Sequence, residues 1–93
     1  MENRVLKYVE YLKKTKGISL NTEMAYRRDL MKLVKYLDAQ NVSDVTQITV
    51  TNLNSYMLYM EKQGLTNTTI SRNVASIKGF FQYLVREGIL AED

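Results

Sequence analysis

The apolar residues of this chain recur every three or four positions along four separate stretches. The first stretch runs from about Glu2 to Lys16, and its apolar residues are Val5, Tyr8, Val9 and Leu12. Such spacing places side chains on one face of an α-helix. Alternation of apolar and polar residues with period two is absent over any useful length, so we expect no β-sheet.

Three further stretches have the same helical spacing. The second runs from Leu20 to Leu37, and its apolar residues are Tyr26, Leu30, Leu33, Val34 and Leu37. The third follows Thr49 and extends to Gln63, with apolar residues Leu53, Tyr56, Met57 and Met60. The fourth follows Thr66 and extends to about Glu87, with apolar residues Ile70, Val74, Ile77, Phe81 and Leu84. These faces predict a compact all-α domain of four helices.

Glycine and hydroxyl residues mark the ends of these helices. Polar segments with basic residues precede three of the four glycines, as is typical of helix C-termini, and these are Gly17, Gly64 and Gly88. The predicted N-caps are the hydroxyl residues Ser19, Thr49 and Thr66. Residues 39–48 are polar, and we expect a loop there with room for one short helical turn. The chain contains no proline.

Residues 17–22 and 64–69 share one pattern: Gly, an aliphatic residue, a hydroxyl residue, any residue, a small polar residue and Thr. A helix stop, a hydrophobic staple and a new N-cap account for this pattern. The same pattern also presents polar side chains and backbone N–H groups at two helix starts, where a phosphate binds readily.

Composition excludes several classes of protein. A length of 93 residues favours one domain, and 45% apolar with 25% charged residues is typical of a globular chain. No Cys is present, which excludes disulfides, and no His is present, which removes the commonest general base and metal ligand. No apolar run approaches the roughly 18 residues of a membrane span, and the charged start is unlike a signal peptide. We therefore expect a cytoplasmic protein without a cofactor.

The charge is distributed unevenly along the chain. Between Asn3 and Lys35, nine basic residues stand against three acidic ones, which gives this segment a net charge of +6. From Tyr36 to Asp93, four basic residues stand against six acidic ones, which gives −2. Such a basic segment is either a solvated helix surface or a footprint for a polyanion.

The second helix carries its cations roughly opposite its apolar face. Arg28, Lys32 and Lys35 follow the i, i+4, i+7 spacing, and Arg27 flanks them. Asp29 is the one acid in this set, and its spacing allows a pair with Lys32. At most one of the four cations is therefore expected to be neutralised locally, which favours contact with phosphates.

The fourth helix presents a slim surface. Between Asn67 and Arg86 it contains no acid, and most residues outside the apolar face are small or polar. Gly79 lies inside this helix, where glycine costs about 1 kcal/mol relative to alanine. Close approach of another helix or of a DNA backbone would each explain it. A slim face with a few cations suits a major groove, which is about 12 Å wide.

Several ordered segments of this chain resemble those of Xer-type tyrosine recombinases and phage integrases. Residues 19–30 resemble the start of that family's second helix, which reads Ser-x-Asn-Thr followed by a run like Tyr-Arg-Arg-Asp-Leu. The other similar segments are residues 44–46, 69–72, 76–84 and 85–90. The match covers nearly the whole chain, and the ordered set is more specific than any single segment.

The resemblance implies a SAM-like core-binding domain spanning residues 1–93 as part of a longer recombinase. In that family the second and fourth helices face the DNA major groove, and a C-terminal catalytic domain clamps the duplex from the other side. The implied partners are double-stranded DNA, that catalytic domain and further recombinase protomers. The residues expected at the DNA, with Lys32 added from its charge and spacing, are Asn21, Thr22, Arg27, Arg28, Lys32, Thr69, Ser71, Arg72, Ser76 and Lys78.

Two other functions compete with DNA binding. A helical protein-interaction module would use the basic face for an acidic partner, or an apolar docking patch formed by exposed Tyr59, Met31 or Phe80. A free-standing enzyme is disfavoured, because the chain has no convincing nucleophile and base pair and no phosphate-cradling glycine loop. The carboxylates of Glu10, Asp29 and Glu61 are most simply surface charges, and the tyrosines on apolar faces are core residues. The fragment is therefore expected to have no catalytic activity of its own.

Overall fold

The computed structural model describes residues 1–91 of the chain. Its helices are α1 (Glu2–Lys16), α2 (Leu20–Ala39), α3 (Val50–Lys62) and α4 (Asn67–Arg86). A short 3-10 turn, Val45–Gln47, lies in the link between α2 and α3. No strand occurs among the described residues. The predicted all-α fold of four helices is therefore confirmed, and so is the short turn in the link.

Helix α2 is the central element of the fold. It packs against α1, α3 and α4, and α4 also packs against α1 and α3. One buried cluster joins α1, α2, the 3-10 turn and α4, and it consists of Val5, Tyr8, Val9, Leu12, Leu30, Val34, Val45, Phe80 and Leu84. A second buried cluster joins α2 to α3 and consists of Leu33, Leu37, Val42, Tyr56 and Met60. Because α2 contributes to both clusters, its remaining surface is the side that faces solvent.

The helix boundaries follow the predicted capping residues. The side chains of Ser19, Thr49 and Thr66 each accept a hydrogen bond from the backbone N–H three residues ahead. Helix α2 ends without a glycine, because Asn41 adopts the left-handed conformation with φ 63°. The N–H of Val42 then donates to the Leu37 carbonyl at 2.9 Å, which closes the last turn.

The buried face of α4 differs from the predicted one. Of the five apolar residues predicted to form the face, only Leu84 is fully buried, and the other buried residues are Asn73, Ser76 and Phe80. The helix is therefore rotated by about one position relative to the prediction. Asn73 tolerates burial because its Nδ2 donates to the Thr69 carbonyl at 2.9 Å. A prediction based on apolar spacing alone cannot identify this face, because two of its buried residues, Asn73 and Ser76, are polar.

Three apolar residues of α4 that are only partly buried line a groove. Ile77, Phe81 and Val85 form one side of it, and Val50 and Leu53 at the start of α3 form part of the other. The volume of this groove is about 720 Å³. Met57 on α3, which was predicted to be buried, is 36% exposed, so that prediction is wrong.

Candidate nucleic-acid interface

The basic face of α2 consists of Arg27, Arg28, Lys32 and Lys35, and all four residues are exposed. Asn21 lies two turns before Arg28 and is exposed on the same side. The core residues of α2, including Leu30 and Leu37, occupy the opposite side. Burial of the apolar side therefore leaves this row of cations directed away from the protein.

Few carboxylates approach this basic face. Glu10 and Glu23 pair instead with lysines of α1: the Nζ of Lys13 lies 3.7 Å from an oxygen of each, and the Nζ of Lys14 lies 4.0 Å from Glu10. Within residues 1–91, the one carboxylate within 4 Å of the basic face is that of Asp29, at 4.0 Å from Arg28 Nε. The side chain of Arg28 is still 58% exposed. The positive charge of these four cations is therefore hardly offset by nearby carboxylates.

Asp29 turns away from the basic face and binds Arg72 of α4. Arg72 Nε donates to Asp29 Oδ2 at 2.6 Å, and Arg72 Nη2 donates to Asp29 Oδ1 at 3.1 Å. The Asp29 side chain is only 4% exposed, so the prediction of a surface charge paired with Lys32 is wrong. The hydrogen bonds from Arg72 satisfy the buried carboxylate, and they raise the pKa of the Arg72 guanidinium. This bidentate pair fixes α2 and α4 relative to one another.

The starts of α2 and α4 have nearly identical geometry. Ser19 and Thr66 have the same φ of −68°, and their hydroxyls accept the N–H groups of Thr22 and Thr69 at 3.2 Å. The same two hydroxyls donate to the Thr22 and Thr69 hydroxyls at 3.0 Å. Thr22 and Thr69 thus belong to the caps, and both are half-buried. Because each hydroxyl accepts the bond from the capping residue, its own proton is free to be donated to a further acceptor.

The outer side of α4 carries fewer charges than that of α2. Ser71 and Lys78 are exposed there, as expected. Arg86 donates to the Tyr11 hydroxyl at 2.7 Å and lies over its ring, so this cation is held against α1. Ser76 is only 1% exposed, so its predicted place on the outer face is wrong. Ser76 lies on the buried face of α4, so it is not accessible to DNA in this structure.

The structure thus sorts the ten predicted contact residues by their accessibility. The exposed residues are Asn21, Arg27, Arg28, Lys32, Ser71 and Lys78, and those in between are Thr22, Thr69 and Arg72. Sequence reasoning missed Asp29 as the link between the two helices. The available signal was a single acid placed between an arginine and an apolar core residue, at the edge of the buried face.

The alternative apolar patch is only partly present. Phe80 is buried in the core and Met31 is half-buried, whereas Tyr59 is exposed. Tyr59 packs on Tyr36 and Tyr56, with ring centroids 5.0 and 6.0 Å away. Phe80 is therefore excluded from such a patch, whereas Tyr59 and part of Met31 remain at the surface.

Among residues 1–91, no group of three or more Asp, Glu, Cys or His side chains is placed to hold a metal ion. None of the helices in this part of the chain combines the length and the apolar character that crossing a membrane requires.

The fold and the surface define a small helical module with a strongly basic face on its central helix. Residues 5–88 match the family described as the phage integrase N-terminal SAM-like domain, and the chain belongs to this family. It is 27% identical over 86 residues to the tyrosine recombinase XerC of Listeria welshimeri, a match that covers 92% of this chain and 29% of the relative. It is 31% identical over 93 residues to the tyrosine recombinase XerC of Pseudomonas syringae pv. syringae, covering 100% of this chain and 31% of the relative. No solved structure matches the chain significantly.

Proposed function

We propose that this chain is the DNA-binding domain of a site-specific tyrosine recombinase and that α2 and α4 hold duplex DNA at the crossover site. The basic face of α2 is the observation that carries the proposal. Its four exposed cations have one carboxylate within 4 Å among the described residues, and that carboxylate is engaged by Arg72. A row of unneutralised cations on one helix is suited to neutralise backbone phosphates and release their counterions.

The proposed contacts divide into two kinds. The four cations of the basic face and Lys78 bind phosphates, which position the domain without reading sequence. Asn21 and Ser71 are short, exposed and polar, so they are the candidates for base edges or bridging waters. Thr22, Thr69 and Arg72 are less accessible and support the contacts from the helix starts and from the junction of α2 with α4.

The remainder of the proposal concerns the parent protein. The chain spans about 30% of the length of the curated relatives it matches. We propose that residues 1–93 form one domain, that the parent exchanges DNA strands in the cytoplasm, and that its catalytic residues lie in a C-terminal domain. The partners of this chain would then be duplex DNA, that catalytic domain and other protomers of the recombinase, and no cofactor is needed for its own role.

Titration of the chain with duplex DNA at low salt, followed by nuclear magnetic resonance, tests the proposal. We expect chemical-shift changes confined mainly to α2 and α4, and a Kd on the order of 10⁻⁴–10⁻⁶ M at physiological salt that becomes lower as the salt concentration falls. Replacement of Arg27 and Arg28 by Glu should abolish binding and leave the fold intact, because both side chains are exposed. Absence of shift changes on both helices would contradict the proposal.

Lys62→Glu is the control for the single change Arg27→Glu, since Lys62 is an exposed cation on α3, outside the two helices proposed to hold DNA, and both changes lower the net charge equally. It should leave DNA binding nearly unchanged. The same variants separate the alternative function. A protein-interaction module would lose an acidic protein partner on reversal of Arg27 and Arg28, with no effect on DNA.

A further inference from the structure

A buried acidic residue joins the two helices that form the proposed phosphate-binding surface. The carboxylate of Asp29 is nearly buried, and its two oxygens receive the Nε and Nη2 groups of Arg72 from the neighbouring helix. The same Oδ1 that accepts Arg72 Nη2 lies 4.0 Å from Arg28 Nε. Two guanidinium groups from two helices therefore converge on one carboxylate.

The geometry leaves part of each guanidinium available. A guanidinium has five N–H donors in a rigid fork, and a bidentate pair uses two of them. The side chain of Arg72 remains 36% exposed and that of Arg28 58% exposed. The cluster of Arg28, Asp29 and Arg72 carries a net charge of +1, and both arginine side chains remain partly open to solvent.

We infer that Asp29 is a positioning residue that orients Arg28 and Arg72 to bind the same DNA backbone phosphate. This inference rests on the proposed function and adds to it a site that spans α2 and α4. The buried carboxylate fixes the plane of the Arg72 fork, so that little side-chain entropy is lost when a phosphate binds. The phosphate would then accept hydrogen bonds from Arg28 and Arg72, the two arginines that share the carboxylate of Asp29.

Overall charge and positioning make opposite predictions for the removal of Asp29. Asp29→Asn raises the net charge of the chain by one, and on long-range electrostatics alone DNA binding should strengthen. If Asp29 positions the two arginines, the same change should weaken binding, since a neutral amide holds the fork less firmly. The sign of the change in affinity therefore distinguishes the two effects.

The experiment measures binding of a short fluorescent DNA duplex by the 93-residue chain over a series of salt concentrations. For Asp29→Asn we expect a Kd about tenfold higher than that of the wild type, as for loss of one charge-assisted hydrogen bond. The magnitude of the slope of log K against log salt should fall by about one, which corresponds to the loss of one phosphate contact. The matched control is Glu10→Gln, which removes an exposed carboxylate from α1 and should leave Kd unchanged or lower it.

Two further measurements cover the case in which Asp29→Asn does not fold. Arg72→Lys keeps the charge but cannot form the bidentate pair, and we expect it to weaken binding about tenfold as well. In the wild type, the Nε–H resonance of Arg72 should shift during the titration in parallel with the backbone amides of α2. An Arg72 resonance that does not shift would overturn the inference. A folded Asp29→Asn variant whose Kd for DNA equals that of the wild type, or is lower, would overturn it too. If the wild type binds no DNA, the proposed function fails and this inference with it.

Discussion

Gly79 of α4 leaves the space that the hydroxyl of Tyr8 occupies. A Cβ atom added at Gly79 would overlap that hydroxyl oxygen and would lie 3.4 Å from Tyr8 Cζ. The Tyr8 ring is itself enclosed, with ring centroids 5.6 Å from Phe80 and 5.4 Å from Tyr83. Close packing of α1 on α4 therefore explains a glycine inside a helix, and the approach of a DNA backbone is not needed to explain it.

Gly79→Ala should destabilise the protein in spite of its better helix propensity. Alanine gains about 1 kcal/mol inside a helix. Displacement of an enclosed tyrosine is an overpacking of the core, which typically costs about 1–3 kcal/mol. We expect a net loss of free energy of unfolding, which urea titration followed by circular dichroism would measure.

Tyr8→Phe provides the matching second variant, because it removes only the hydroxyl that a methyl group at position 79 would overlap. In the Tyr8→Phe background, Gly79→Ala should be neutral or stabilising. The double-mutant cycle should therefore show coupling between the two positions. Equal effects of Gly79→Ala in both backgrounds would show that the Tyr8 hydroxyl does not require the glycine.

The sequence was sufficient to predict the four helices and their caps because those features depend on local chemistry. Apolar spacing, a hydroxyl side chain at each helix start and a left-handed residue after a helix all act within a few residues. The rotation of α4 was not predictable in this way. Its buried face includes Asn73 and Ser76, while Ile77 and Phe81 line the groove, and only contacts with other helices determine that choice.

The candidate site was predictable to a similar extent. Charge and spacing identified the basic face of α2, because exposed cations need no partner from elsewhere in the chain. The pair between Asp29 and Arg72 joins residues 43 positions apart, so no local rule indicates it. The local alternative, a pair between Asp29 and Lys32, is weaker because it would leave the carboxylate on the surface instead of in a bidentate pair.

Asn41 tests the end of α2. Its φ of 63° lies in the left-handed region, where a residue with an ordinary side chain is strained by roughly 1–2 kcal/mol. Asn41→Ala should therefore lower the free energy of unfolding by about 1 kcal/mol, and Asn41→Gly should be neutral or slightly stabilising. Thermal unfolding would measure both. Gln40→Ala is the control, because Gln40 is also exposed but has φ −95°, and a similar loss in that variant would contradict this explanation.

Two buried tyrosines predict a loss of stability at high pH. Burial raises the pKa of Tyr8 and of Tyr56 to about 12, from the ordinary value of 10.0, and the nearby charge of Asp29 adds to the effect at Tyr56. Both groups have a higher pKa in the folded than in the unfolded state. Their contribution to stability is therefore complete below about pH 10 and is lost as the pH rises from 10 through 12.

The alkaline transition can be followed by the near-ultraviolet absorbance of tyrosinate together with far-ultraviolet circular dichroism. Ionisation of Tyr8 and Tyr56 should coincide with unfolding. Tyr8→Phe and Tyr56→Phe should each make the free energy of unfolding decline less steeply across this pH range, since phenylalanine does not ionise. A decline of unchanged steepness in the variant that carries both substitutions would exclude these two groups as its cause.

Lys35 provides a test of the basic face that is independent of the arginines. It lies two turns after Arg28 on the same side of α2, and it is exposed, like Lys62 on α3. Within residues 1–91, no carboxylate lies within 4 Å of either lysine. Lys35→Ala should reduce the salt slope of DNA binding by about one, whereas Lys62→Ala should not change it. The two variants lose the same charge, so an equal effect of both on the slope would mean that net charge, and not the basic face of α2, determines the binding of DNA.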